Sequence, residues 1–169
     1  MISGAPDGLL PRDVVALAER VIRENAAIGR TVALAESCTG GLVSAALTEI
    51  AGSSAVLDRG FVTYSNTAKR ELLDVPEDII DTFGAVSVAT AWAMARGALD
   101  HSEADVAVAI SGVAGPDGGS DLKPVGTVVF ARKTRGSDEI NAEERLLDGS
   151  SRVRVRHQAT LVALELLLP

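Results

Sequence analysis

One unbroken apolar run, Asp105 to Ser111 (DVAVAIS), sets the terms on which this chain can fold. Its apolar residues do not alternate with polar ones, so it has no water-facing side and reads as a central strand covered on both faces. A strand buried in that way needs helices above and below the sheet, and the flanking sequence supplies them. From Asp13 to about Ile28, Val14, Leu17, Ala18, Val21 and Ile22 fall on one helical face, with Glu19, Arg20 and Glu24 opposite. Pro11 suits its start and Gly29 its end.

The other elements follow in order. Thr31 to Ala35 reads as a short buried strand, and Val43, Ala46, Leu47 and Ile50 recur at helical spacing over Gly41–Ala51. Arg59 to Tyr64 (RGFVTY) is rich in β formers and ends in Ser65-Asn66, good caps for a short helix from Thr67 to Leu73. A short helix starting around Val75–Asp78 and ending near Gly84 precedes a long one capped by Ser87, with Val88, Ala91, Trp92, Ala95 and Leu99 on one face. Val125–Ala131 and Asp138–Leu147 are the last strands, and a helix runs from Ser150 to about Leu168. The alternation predicts an α/β fold, a three-layer α/β/α sandwich with a mixed, mostly five-stranded sheet. The last strands are expected antiparallel because their connections are short. Residues 1–12 read as a disordered lead-in and 13–169 as one domain.

The 169 residues are 47% hydrophobic but only 3% aromatic, so the core must be built from Ala, Val, Leu and Ile. A net charge of −7 argues against non-specific nucleic-acid binding. It leaves room for a small anion held by local arginines. The single cysteine cannot form an intrachain disulfide and fits a reducing compartment. No apolar run approaches the ~20 residues of a membrane span, and the N-terminal residues lack the pattern of a secretory signal. The protein is therefore expected in the cytoplasm, with no membrane or nucleic-acid partner and a homo-oligomer left open. No clustered His/Cys ligand set of the usual spacing occurs, so no metal or other cofactor is expected.

Three stretches are candidates for chemistry. The first, TVALAESCTGG (Thr31–Gly41), passes from strand through Glu36-Ser37-Cys38-Thr39 and Gly40-Gly41 into a helix. Such a turn exposes a nucleophile at the sheet edge beside unpaired helix N–H groups; the plainer reading is a turn with Thr39 as N-cap. The second, Gly112 to Gly119, follows the buried strand directly and lets backbone approach a ligand, or is a surface turn. The third sets Arg152, Arg154 and Arg156 with His157 at a helix N-terminus, against the helix dipole. An anion held by the guanidinium groups accounts for that, as does pairing with Glu143 and Glu144. Lys69 also lies against a dipole, early in its helix, where a solvated lysine is the simpler expectation.

AESCTGG, AGSSAVLDRGFVTYSNTAKRELLDV and SGVAGPDGGSDLKPVGTVVFA, in this order, resemble the C-terminal domain of the competence/damage-inducible protein CinA, over essentially Asp13 to the C-terminus. The resemblance implies a nicotinamide-nucleotide amidase: a metal-free serine/lysine amidohydrolase that takes NMN as its small-molecule substrate and releases nicotinate mononucleotide and ammonia. By motif, the serine is Ser37 and the lysine Lys69. The family's final helix usually opens Gly-Asp-Arg, whereas this chain has Gly149-Ser150-Ser151-Arg152, which keeps the arginine and loses the aspartate. Many relatives also carry an N-terminal pyrophosphatase-type domain, so only the deamidase half of that chemistry is expected.

The residues themselves leave the nucleophile open. Cys38 at a helix N-terminus has the chemistry of a lowered-pKa thiol, but a Cys–His pair needs an imidazole, and only His101 and His157 are present. A lysine base needs no histidine; it needs burial or a nearby cation, such as Arg152 or Arg156, to lose its proton near pH 7. On the serine reading, backbone N–H groups of Cys38, Thr39, Gly40 and Gly41 face the oxyanion, and Tyr64 and Asn66 orient Lys69. Gly112, Gly115, Asp117, Gly118, Gly119, Arg152 and Arg156 then bind phosphate and ribose. The alternatives are a Cys38-dependent hydrolase and a non-catalytic nucleotide-binding module linked to competence or DNA damage.

Overall fold

The computed structural model describes residues 8–169, so the first seven residues of the expected lead-in lie outside the described residues. Leu9, in the rest of it, donates its N–H to Glu49 Oε1 at 3.2 Å. The elements are α1 (Arg12–Ala27), β1 (Val32–Glu36), α2 (Leu42–Thr48), β2 (Leu57–Val62), α3 (Asn66–Leu73), α4 (Glu77–Phe83), α5 (Val88–Asp100), β3 (Val106–Gly112), β4 (Thr127–Thr134), β5 (Asn141–Leu146) and α6 (Arg152–Leu166). Their order is the expected one. Several boundaries move by two or three residues, β4 to Thr127–Thr134 among them. Helix α2 stops at Thr48 and a 3-10 turn, Ser53–Ala55, intervenes; β2 ends at Val62 rather than Tyr64; β5 begins at Asn141 rather than Asp138.

The strands form one five-stranded sheet in the order β2-β1-β3-β4-β5. β1 runs parallel to both β2 and β3, and β4 and β5 complete the sheet antiparallel. Every β1 residue is buried, as are six of the seven in β3, in keeping with the central place of their apolar runs. The two-residue period of β1 divides its side chains between two cores. Val32 and Leu34 join Val14, Val21, Leu47, Val155 and Val162 beneath α1, α2 and α6. Ala33 and Ala35 pack with Leu73, Ile80, Met94 and Leu99 beneath α3, α4 and α5.

Alanines on that second face let α5 lie close to the sheet. Gly97 lets α5 approach the end of α3 as well: a Cβ there would come within 2.0 Å of the Leu73 carbonyl oxygen. The half-buried Trp92 belongs to this core, with the Lys133 ammonium 5.1 Å from its ring centroid. His101 follows α5 and pairs with Asp74 at 2.6 Å.

The chain leaves β1 toward one helical layer and leaves β2 toward the other. Adjacent strands with diverging exits open a crevice at their carboxyl ends, the usual place for a ligand in an open α/β sheet.

Candidate active site

Alternation along the chain leaving β1 separates the two candidate nucleophiles. Cys38 continues the Val32–Leu34 side and is 5% exposed within the core of α1, α2 and α6. Burial, aided by the nearby Glu36 carboxylate, pushes its thiol up to about 12. Ser37 continues the Ala33–Ala35 side, with its N–H donated to Ile110 O at 2.9 Å, which ties the turn to β3.

Lys69 reaches the same point from α3. Ser65 caps that helix by accepting from Ala68 N, and Lys69 points inward from the turn that follows. It is only 1% exposed, so the expectation of a solvated lysine fails. Its Nζ donates to Thr63 O at 2.9 Å and lies 3.2 Å from Ser37 Oγ. Thr63 in turn donates its N–H to Glu36 O at 2.8 Å, so the residue whose carbonyl holds the lysine also joins the ends of β1 and β2. Burial lowers the Lys69 pKa from its ordinary value. Of the two expected routes, burial or a nearby cation, burial is what disfavours its charged form. A hydroxyl within reach of an amine whose charged form is disfavoured has the chemistry of a nucleophile–base pair.

The pair opens into a cleft of about 260 Å³ lined by Ser37, Cys38, Tyr64, Asn66, Lys69, Ala85, Val86, Ser111, Gly112, Ala114 and Arg152. The lining contains two basic side chains, Lys69 and Arg152, and no carboxylate. Arg152, at the start of α6, donates to Gly115 O at 2.7 Å and to Tyr64 Oη at 3.0 Å. Tyr64 therefore serves Arg152; the group that orients Lys69 is the Thr63 carbonyl. Asn66 opens α3 and lines the cleft.

Glu36 is the residue that sequence reasoning misjudged most. It is fully buried and accepts five hydrogen bonds: from Thr39 Oγ1 at 2.6 Å, Gly41 N at 3.1 Å, Val43 N at 3.2 Å, Ser44 N at 2.9 Å and Ser44 Oγ at 2.8 Å. The carboxylate thus closes the N-terminus of α2 itself, doing what Thr39 was expected to do. The N-cap of that helix is Gly41, at φ +97°. A Cβ on Gly60 of β2 would come within 2.3 Å of Ser44 Oγ, so a bare strand position makes room for this network.

That arrangement narrows the expected oxyanion donors. Gly41 N–H is given to Glu36 and Gly40 N–H to Ser37 O at 3.0 Å. Among the described residues, the N–H groups of Cys38 and Thr39 are donated to no protein acceptor.

The second stretch divides. Gly112 lines the cleft and Gly115 supplies the carbonyl that holds Arg152, but Asp117, Gly118 and Gly119 do not line it. Glycine at Gly119 answers a packing need: a Cβ there would lie 2.9 Å from Val125 N. The third stretch divides too. Arg154 pairs with Asp148 at 3.0 Å. Arg156 lies outside the cleft lining and donates from Nε to Cys38 O at 3.1 Å and from Nη2 to Thr39 O at 3.2 Å. Neither Glu143 nor Glu144 meets these arginines; they pair with Arg145 and Lys123. His157 faces Asp13 at 2.9 Å, and neither histidine lines the cleft. Ser111, not anticipated as a lining residue, closes the floor and donates from Oγ to Ala85 O at 2.8 Å. Among the described residues, no group of three or more His, Cys, Asp or Glu is placed to hold a metal, and no helix is long and apolar enough to cross a membrane.

Residues 14–169 match the family model of the CinA C-terminal domain. The nicotinamide-nucleotide amidohydrolase PncC of Escherichia coli (strain K12) is 50% identical over 155 residues, 92% of this chain and 93% of that protein. A CinA-like protein of Syntrophotalea carbinolica is 48% identical over 149 residues, 88% of this chain and 35% of its own length. Among solved structures, the competence/damage inducible protein CihA from Agrobacterium tumefaciens superposes with a TM-score of 0.91 at 51% identity, covering 94% of this chain and 96% of that one.

Proposed function

Because the chain belongs to the CinA C-terminal domain family, we propose that it is a nicotinamide-nucleotide amidohydrolase, converting NMN to nicotinate mononucleotide and ammonia. One observation supports a serine/lysine route above all: Lys69 Nζ stands 3.2 Å from Ser37 Oγ inside the cleft while burial drives the amine toward its neutral form.

On this reading, Ser37 Oγ attacks the carboxamide carbon as Lys69 Nζ takes the hydroxyl proton. The Thr63 carbonyl holds one N–H of the amine and leaves its lone pair for that proton. The tetrahedral oxygen forms beside the N–H groups of Cys38 and Thr39, the donors of this turn that remain unspent. Lys69 then returns the proton to the leaving nitrogen, the C–N bond breaks and ammonia departs. Water attacks the resulting nicotinoyl ester, gives a proton to Lys69, and the acid leaves as Ser37 Oγ recovers that proton. Arg152, at the rim, binds the phosphate as a charge-assisted contact. The chemistry calls for no metal or organic cofactor. The reading places the enzyme in the cytoplasm, with a homo-oligomer compatible with it and no membrane or nucleic-acid partner.

The test is ammonia release from NMN, nicotinamide and NAD side by side, with and without EDTA. NMN alone is expected to be turned over well, and chelation to leave the rate unchanged. Folded protein that releases no ammonia from NMN overturns the proposal and favours a nucleotide-binding module. Activity lost to EDTA and restored by a divalent ion overturns the metal-free route.

A further inference from the structure

Arg156 is built into the turn that carries the nucleophile, although it comes from the far end of the chain. Its guanidinium grips two successive carbonyls, Cys38 O and Thr39 O, 118 and 117 residues earlier in sequence. It does not line the cleft, so it is not placed to bind an anion there.

The grip has a directional consequence. A trans peptide unit is planar, with C=O and the following N–H pointing opposite ways. Holding Cys38 O toward α6 turns Thr39 N–H away from α6. Holding Thr39 O there does the same for Gly40 N–H, which indeed turns back to Ser37 O at 3.0 Å. Meanwhile Glu36 has taken the donors of Gly41, Val43 and Ser44, so α2 offers no free N-terminal donor from those three residues. The Thr39 donor is thus aimed by two clamps, Glu36 from below through Thr39 Oγ1 and Arg156 from the side.

We infer that Arg156 is a positioning residue for the reaction: it fixes the peptide planes that follow Cys38 and Thr39 so that the Thr39 N–H meets the oxyanion, and it makes no contact with the substrate. The inference rests on the serine amidase reading above. A planar fork suits this task because it holds two neighbouring carbonyls in one orientation, which a single ammonium does not. Donors aimed at a charge that appears only in the transition state act on turnover rather than on substrate binding.

The experiment compares wild type, Arg156→Ala and Arg156→Lys with NMN as substrate, each verified as folded by circular dichroism and thermal midpoint. Both variants are expected to lose at least about tenfold in kcat, as loss of an aimed donor does, with KM for NMN within about threefold. Millimolar guanidinium is expected to restore part of kcat to Arg156→Ala. Titration of NMN into Ser37→Ala and into Ser37→Ala/Arg156→Ala is expected to give equal affinities. Should Arg156→Ala not fold, Arg156→Lys carries the same comparison. A raised KM at unchanged kcat, a weakened affinity in the double variant, unchanged kinetics, or a kcat loss that only follows lost thermal stability each overturns the inference. Wild-type protein inert toward NMN overturns the underlying reading instead.

Discussion

Lys69 Nζ and Ser37 Oγ lie 3.2 Å apart although 32 residues separate them in sequence, and both residues are buried. On the proposed serine/lysine route the two act as one unit, so Ser37→Ala and Lys69→Ala are each expected to lower kcat by about 10³-fold or more. The double variant should be little worse than either single one. Steady-state rates on NMN for the three proteins check this, and multiplicative losses would show that the two side chains work independently.

Lys69 also links activity and stability to pH. Its folded-state pKa lies below the ordinary 10.5 because burial penalises the ammonium. Between the lowered value and 10.5 the unfolded chain binds more protons than the folded one, so stability should rise with pH across that window. Below it, the buried charge is a constant cost. Lys69→Met, of similar length and without the charge, should therefore be inactive yet melt higher than wild type at pH 7, with a flatter pH dependence. In wild type, kcat/KM should climb with an apparent pKa under 10.5. Thermal melts across the pH range and a kcat/KM profile measure both; a Lys69→Met protein less stable than wild type contradicts the account.

The thiol of Cys38, pushed up to about 12, should be inert in the folded protein. At pH 8 only about one part in ten thousand would be thiolate. Iodoacetamide should leave native protein unmodified and active but label it once denatured, which mass spectrometry can follow. Cys38→Ala should keep activity within about tenfold of wild type. An inactive Cys38→Ala beside an active Ser37→Ala would transfer the nucleophile to sulfur.

Arg152 differs from Arg156 by facing the cleft. Arg152→Ala should raise KM for NMN by about tenfold or more, the scale of one charge-assisted hydrogen bond, with kcat within about threefold. Nicotinamide riboside, which lacks the phosphate, should be nearly indifferent to the change. An equal effect on both substrates would remove phosphate binding from this residue.

Much of the architecture was legible because its signals are local. The unalternating DVAVAIS run required helices on both faces, and the structure has them. The motif resemblance drew attention to Ser37 and Lys69, which geometry brings together. The roles around them were less legible because they depend on what the turn bends toward. Glu36 reads as one of four polar side chains in the turn, and its five donors converge only once the chain has doubled back as α2. Lys69 reads as solvated because its burial appears only when α3 folds back over the strand ends, bringing it to Thr63 and to Ser37. Glycine density from Gly112 to Gly119 reads as a ligand loop, yet Gly119 is there because Val125 leaves no space for a side chain. Three arginines on one helix end look alike in sequence and meet three different sets of partners.

The reach of α6 back to Cys38 and Thr39 also puts a timing on the enzyme's birth. A nascent chain emerging from the ribosome has made Ser37 and Lys69 long before Arg152 and Arg156. Nor has it yet made Val155, Ala159 and Val162, the α6 residues packed into the core that holds Val32 and Leu34. Ser37 and Lys69 thus wait for the last helix before they have a braced turn and a cation at the rim. A chain broken upstream of α6 lacks the Arg156 contacts to Cys38 and Thr39, the Arg152 side chain at the cleft and part of the core beneath β1.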